Sequence, residues 1–298
     1  MQRCLGAMTS WKHQVKNRFS EHATEWAACY ADPEPTLSSE HLISRQRFAL
    51  EMVEAAMPPS SRILEVGCGA GVMAAKLIKR GYAVWGIDLA EPMIRQARQL
   101  CESEPFGVGD IEHIPFPDNT FDVVVSLGVL EYLESDEQAL REVWRVLRPG
   151  GRAVIAIPNG RSPLRRLDGV VPRVVAVLRP AYHLVKYRFR ANSAPSSETF
   201  AGSLHHAPYR RFYRRRWLRL LRGLNFEPEE WICHGWGWLS SPLDRLVRFL
   251  SMKHSVVRRG LERLVGRALL SRASATFVRS RALNWLAAEH VFRVRAIK

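Results

Sequence analysis

Cysteine is scarce in this chain. The five residues, Cys4, Cys29, Cys68, Cys101 and Cys233, are odd in number, scattered, and form no C-x-x-C pair. That spacing argues against a disulfide framework and against any zinc site, and a reducing cytoplasm is the expected compartment. Long apolar runs are also missing. The best candidate, residues 169–185, is broken by Pro172, Arg173, Arg179 and Pro180, so no membrane-spanning helix is expected. The first residues carry Arg3, Lys12, His13 and Lys16 where a secretory signal needs an uninterrupted apolar core, and no such signal is expected. No Gly-Lys-Ser/Thr follows the glycine turn at residues 67–71, and its spacing is not G-x-G-x-x-G. Both phosphate-binding readings of that turn are weakened accordingly.

Acidic residues are the last scarcity, and it is local. Residues 1–158 hold 16 Lys/Arg against 21 Asp/Glu, whereas residues 159–298 hold 28 against 8, so a net charge of −5 is followed by +20. The whole basic excess lies in the second half. Such a field favours anionic partners: a phospholipid surface, a nucleic acid or an acidic small molecule.

What the chain does have is concentrated at residues 63–71, Ile-Leu-Glu-Val-Gly-Cys-Gly-Ala-Gly. An apolar stretch suited to a buried parallel strand ends at Glu65-Val66 and breaks into glycines, and a helical pattern resumes at Val72. Glycine lets a backbone approach a ligand without an intervening Cβ, and a helix N-terminus adds unpaired N–H groups. About twenty residues further on, a second strand ends in Asp88, where a carboxylate can accept both hydroxyls of a ribose.

Further apolar elements follow at residues 107–111, 121–127 and 152–157. In this order the chain resembles the class I S-adenosylmethionine-dependent methyltransferases, through Ile-Leu-Glu-Val-Gly-Cys-Gly-Ala-Gly, Gly-Ile-Asp-Leu, Gly-Asp-Ile-Glu-His-Ile-Pro-Phe, Phe-Asp-Val-Val-Val-Ser and Leu-Arg-Pro-Gly-Gly. The resemblance covers residues 62–159. It implies an α/β fold, a Rossmann-like doubly wound seven-stranded sheet with helices on both faces, and S-adenosyl-L-methionine as cofactor. It also implies ligand positions: Glu65, Gly67, Cys68, Gly69 and Gly71 beside the methionine part, Asp88 with Leu89 at the ribose, Asp110 and Ile111 around the adenine, and Leu127 and Gly128 at the methyl region. The ubiquinone-biosynthesis O-methyltransferases carry an arginine on the helix before the glycine turn, which points to Arg47. Their Leu-Glu after the fourth strand matches Leu130-Glu131, but the histidine that follows in that family is Tyr132 here.

Three regions are expected: a helical lead-in at 1–58 capping the site, a cofactor-binding core at 59–158, and at 159–298 the completion of the sheet with basic insertions. A lead-in helix is read at residues 15–30 and a second at 39–57. The closing hairpin is read as strands at 226–233 and 286–297, with insertions at 159–208 and 235–281. Asp122, at the start of a strand, reads as a turn or capping residue.

The catalytic base is unassigned. His205 and His206, before Ala207-Pro208-Tyr209, together with Tyr213 and His22, are the candidates; His113 reads as a surface residue. No metal site is proposed, since adjacent histidines are poorly disposed to share one ion.

Residues 209–222 hold seven arginines among aromatic and aliphatic residues, and 243–270 repeat apolar residues at helical spacing with six more arginines, after Trp231, Trp236 and Trp238. That composition suits an interfacial amphipathic helix. The expectation is methyl transfer by in-line displacement to a small, hydrophobic or lipid-linked acceptor, in the cytoplasm and peripherally at the anionic inner face of a membrane. The alternatives are an RNA methyltransferase using the basic half, and a non-catalytic cofactor-binding protein.

Overall fold

The computed structural model describes residues 10–31, 40–102, 104–162, 212–234, 287 and 289–298. Seven strands form one sheet in the order β3-β2-β1-β4-β5-β7-β6. They are β1 (Arg62–Val66), β2 (Ala83–Asp88), β3 (Phe106–Val108), β4 (Phe121–Leu127), β5 (Leu147–Pro158), β6 (Phe226–His234) and β7 (Glu289–Ala296). Only β7 runs antiparallel to its neighbours, between β5 and β6. The helices are α1 (Ser10–Glu21), α2 (Ala23–Ala31), α3 (Glu40–Glu54), α4 (Val72–Ile78), α5 (Glu91–Leu100), α6 (Asp136–Val146) and α7 (Arg214–Gly223), with a 3-10 turn at Leu130–Tyr132.

The central strands read as unbroken apolar runs because both faces of the sheet are covered. Alternate residues go to opposite sides. Leu64, Val124 and Ile155 pack with Leu140 and Val143 of α6 and Trp217 and Leu221 of α7. Ile63, Val123 and Val154 face the other way, onto Phe48 and Met52 of α3, Met73 and Leu77 of α4, and Ile94 of α5. The seven-stranded doubly wound plan is therefore the one expected.

Some boundaries differ. The single lead-in helix expected at 15–30 is two helices that break at His22. Its apolar residues serve two targets, Phe19 meeting the Tyr132 ring edge-on at 5.3 Å while Ala23 and Trp26 join Ala90 and Met93. The Leu-Arg-Pro-Gly-Gly stretch at 147–151, which precedes the apolar element read at 152–157, is absorbed into β5 as a bulge, since Phe121 pairs with Leu147 and Val123 with Arg152. Asp122 pins the strand starts, accepting from the Arg62 N–H at 2.8 Å and the Arg148 guanidinium at 2.7 Å. The insertions at 159–208 and 235–281 lie outside the described residues, apart from positions 159–162.

Candidate cofactor and acceptor site

The glycine turn hangs from the neighbouring strand, with the Gly67 and Cys68 N–H groups both donating to the Ile87 carbonyl, at 2.8 and 3.1 Å. Each glycine has its own surroundings. The space a side chain at Gly67 would take is filled by Val129, and at Gly71 by Ala97. At Gly69 (φ +52°) nothing lies within 4 Å of the place a Cβ would take, so that side of its backbone is open. Asp88 closes the turn from the end of β2. One of its oxygens accepts the Gly69 N–H at 2.9 Å and the other the Ala90 N–H at 2.8 Å. Burial pushes its carboxyl up, and the Ala90, Gly69 and Leu89 N–H groups oppose that shift.

Glu65 is buried beneath the turn, 4% exposed. It accepts the Ala74 N–H from α4, while its Oε2 has no hydrogen-bond partner. Burial pushes its carboxyl up to about 8, against the Ala74 N–H and Lys76 and with the help of Asp88. At neutral pH it is mainly protonated. Cys68 is buried with its thiol pushed well above the usual value, first by burial and then by Asp88 and Glu65. Its sulfur packs toward Gly86, so it fills space and offers no thiolate.

On the β3 side, Asp110 accepts from the Glu112 N–H at 3.0 Å and from Lys12 Nζ of α1 at 2.6 Å. Lys12 also pairs with Glu112. Ile111 beside it is buried. On the β4 side, Trp11 Nε1 donates to the Tyr132 carbonyl at 2.7 Å. One helix thus ties the chain after β3 to the chain after β4, across the mouth of the turn.

Leu127 ends β4 and Gly128 follows at φ +80°. A Cβ there would lie 2.5 Å from Arg45 Nη1, so the Arg45 guanidinium occupies the place of the missing side chain. Arg47, the arginine singled out by sequence, is exposed, 3.8 Å from Glu51 and stacked over the Phe48 ring. Residues two apart on a helix point in nearly opposite directions. Arg45 is therefore the arginine that reaches Gly128, and its Nη1 is 3.6 Å from Glu289 Oε1.

The base candidates are dispersed. His22 sits at the α1–α2 break, 3.8 Å from Glu25. Tyr213 is exposed at the start of α7. His113 is half exposed, 3.9 Å from Asp110. His205 and His206 lie outside the described residues. A cluster that the sequence did not suggest stands at the ends of β6 and β7. His234 is fully buried, its Nδ1 3.2 Å from Ser44 Oγ and its Nε2 3.4 Å from Glu289 Oε2.

The turn, Asp88, Asp110 and Gly128 all lie at the carboxyl ends of parallel strands, where open α/β sheets bind ligands. A methyltransferase-domain family matches residues 64–155. A ubiquinone/menaquinone biosynthesis C-methyltransferase of Ruegeria sp. (strain TM1040) is 32% identical over 169 residues, 51% of this chain and 67% of that one. The chain belongs to the class I S-adenosylmethionine-dependent methyltransferases. A malonyl-[acyl-carrier protein] O-methyltransferase of Serratia marcescens is 38% identical over 93 residues, and this methyltransferase spans only 36% of its length. Among solved structures, the [4+2]-cyclase SpnF superposes over 98% of both chains with a TM-score of 0.57 at 18% identity. Phosphoethanolamine N-methyltransferase 2 of Haemonchus contortus, in complex with S-adenosyl-L-methionine, gives 0.57 at 14% identity, over 98% of the methyltransferase and 61% of the other chain. These low-identity likenesses report the fold alone. The residues present fit S-adenosylmethionine: the bare backbone at Gly69 leaves room for it, Asp88 is held in place beside that room, and the unpartnered Glu65 oxygen lies beneath the turn.

Proposed function

We propose that this methyltransferase acts on a small, hydrophobic or lipid-linked acceptor and works in the cytoplasm, docked peripherally on an anionic membrane surface. The observation that carries this reading is the outer face of α7. Arg214, Arg215, Arg216, Arg219 and Arg222 are exposed, while Trp217 and Leu221 anchor the helix to the sheet. The helix contains no acidic residue. Arg216 and Arg219 line a groove with the Arg141–Glu137 pair of α6. Trp231 serves the fold, with the Arg214 guanidinium over its ring and its Nε1 donating to Cys233 Sγ. Trp236 and Trp238 lie outside the described residues. Among the described residues no helix is long and apolar enough to cross a membrane, so any membrane contact proposed here is at the surface.

We assign the cofactor contacts as follows. Asp88 receives the ribose hydroxyls, with Leu89 beside it; Asp110 and Ile111 frame the adenine. Gly67, Cys68, Gly69 and Gly71 border the methionine part with Glu65 beneath, and Leu127 and Gly128 border the methyl region. Arg45, in place of Arg47, faces the methionine carboxylate. When bound, S-adenosylmethionine supplies an activated methyl carbon, and transfer is an in-line displacement that needs alignment and exclusion of water. Alignment falls to Asp88 at the ribose and Arg45 at the methionine carboxylate. Exclusion of water falls to α1, through Trp11 and Lys12.

The test is incubation with methyl-labelled S-adenosylmethionine and a lysate separated into lipid extract, nucleic acid, protein and soluble metabolites, with Asp88→Ala as control. Label in the lipid or metabolite fraction that disappears in the variant is the expected result. Label confined to nucleic acid overturns this reading in favour of RNA methylation, for which the same arginine face would serve phosphates.

A further inference from the structure

His234 is the last residue of β6 and Glu289 the first of β7, and the sheet register sets them directly opposite each other. They face α3. There Ser44, Arg45, His234 and Glu289 form one buried string, with exposures of 3, 6, 0 and 4%. Ser44 Oγ lies 3.2 Å from His234 Nδ1, His234 Nε2 lies 3.4 Å from Glu289 Oε2, and Glu289 Oε1 lies 3.6 Å from Arg45 Nη1. The Arg45 guanidinium then rests on Gly128.

His234 Nε2 stands at ion-pair distance from the Glu289 carboxylate, and Ser44 Oγ is within hydrogen-bond distance of Nδ1, with donor and acceptor set by the tautomer. Both ring nitrogens face groups of the fold, and the ring has no exposed edge. A histidine held so is not placed to take a proton from an acceptor; it is placed to orient a carboxylate. An arginine with five donors and several rotatable bonds needs such a carboxylate if its guanidinium is to stand ready at one place.

We infer that Glu289 and His234 are positioning residues that hold Arg45 in its cofactor-facing pose. Glu289 shares its two oxygens between Arg45 and His234, and His234 is fixed by Ser44. This rests on the assignment of Arg45 to the methionine carboxylate.

Two ligands separate the possibilities: S-adenosylhomocysteine, which carries the carboxylate, and 5′-methylthioadenosine, which lacks it. Binding to the full chain is measured by calorimetry for Arg45→Met, Glu289→Gln, Glu289→Asp and His234→Gln. Glu289→Gln is expected to weaken S-adenosylhomocysteine about tenfold and leave methylthioadenosine within about twofold. His234→Gln should act in the same direction and less strongly, and Glu289→Asp should recover part of the loss. In the Arg45→Met background Glu289→Gln should add nothing, because the two act as one unit.

Equal losses for both ligands, or additive losses in the double variant, overturn the clamp. So does an unchanged ligand preference in Glu289→Gln and His234→Gln while Arg45→Met alters it. If Arg45→Met itself leaves the preference unchanged, the carboxylate assignment falls and the clamp with it. Should Glu289→Gln fail to fold, His234→Gln and Glu289→Asp carry the same comparison.

Discussion

At the scale of the residue, Glu65 makes the most direct claim. Its carboxyl in the folded protein titrates near 8 against an ordinary 4.5, so the native state holds a proton that the unfolded chain releases. The stability that Glu65 contributes therefore falls as pH rises from about 4.5 to 8 and levels off above, the reverse of a salt-bridged acid. Between pH 5 and pH 7 the loss from this group is about 2–3 kcal/mol, taking about 1.4 kcal/mol per pH unit. Glu65→Gln keeps an acceptor for the Ala74 N–H and removes the titration. Denaturant unfolding of wild type and variant, without cofactor, should show the variant gaining stability relative to wild type across that window. Parallel curves would show that Glu65 is not protonated in the fold. The position of this acid was readable from sequence, since it closes an apolar strand before a glycine turn. Its depth was not, because burial depends on α4 lying over it. The arginine shows the limit from the other side. Arg45 and Arg47 have the same chemistry and nearly the same distance from Gly67, and only the helix's angular setting on the sheet sends one to Gly128 and the other to solvent. His234 carried no local signal at all, because its partner is 55 positions away and meets it through β6–β7 register.

At the scale of the element, α1 is tied by side chains both to the chain after β3 and to the chain after β4. Lys12 is only partly exposed, and although burial pulls its pKa down, Asp110 and Glu112 raise it above its usual value. The ammonium therefore stays charged between two carboxylates. Trp11 and Phe19 add the second attachment at Tyr132, so the helix is tied at both sides of the mouth. Lys12→Ala should free one side. Hydrogen exchange in α1 should quicken by about tenfold or more while β1 and β4 stay protected, and affinity for S-adenosylmethionine should drop several-fold. Unchanged exchange in α1 would mean the aromatic attachment alone holds it. The elements themselves were largely legible: β1 ends at Val66, β4 spans 121–127 and α4 starts at Val72, each where its sequence pattern put it. The misses have physical causes. The lead-in broke in two because its apolar residues answer to two different partners, and β5 began early because a bulge lets a Pro-Gly-Gly stretch remain in the sheet.

At the scale of the molecule, the charge split was visible by counting, since formal charge belongs to the residue and needs no structure. Which charges face outward did need the fold: it turns Trp217 and Leu221 inward and leaves the arginines of α7 exposed. Such residues contribute about 1 kcal/mol each at an anionic bilayer surface, so reversing Arg215, Arg216 and Arg219 to glutamate should cost more than about a hundredfold in vesicle affinity. None of these three side chains is buried, so the melting temperature of the triple variant should stay close to that of wild type. The measurement is co-sedimentation with phosphatidylglycerol vesicles at low ionic strength. A parallel series reaches about 0.5 M salt, where the Debye length drops well below the roughly 10 Å at 0.1 M and attraction should fade. Wild-type protein should sediment with the anionic vesicles and stay in solution with phosphatidylcholine vesicles, and the triple variant should stay in solution with both. Wild-type protein that ignores anionic vesicles at low salt ends the membrane proposal and leaves the arginine face to an acidic soluble acceptor or to RNA. Equal sedimentation of the variant would move the docking surface away from α7 and into the other basic stretches of the second half.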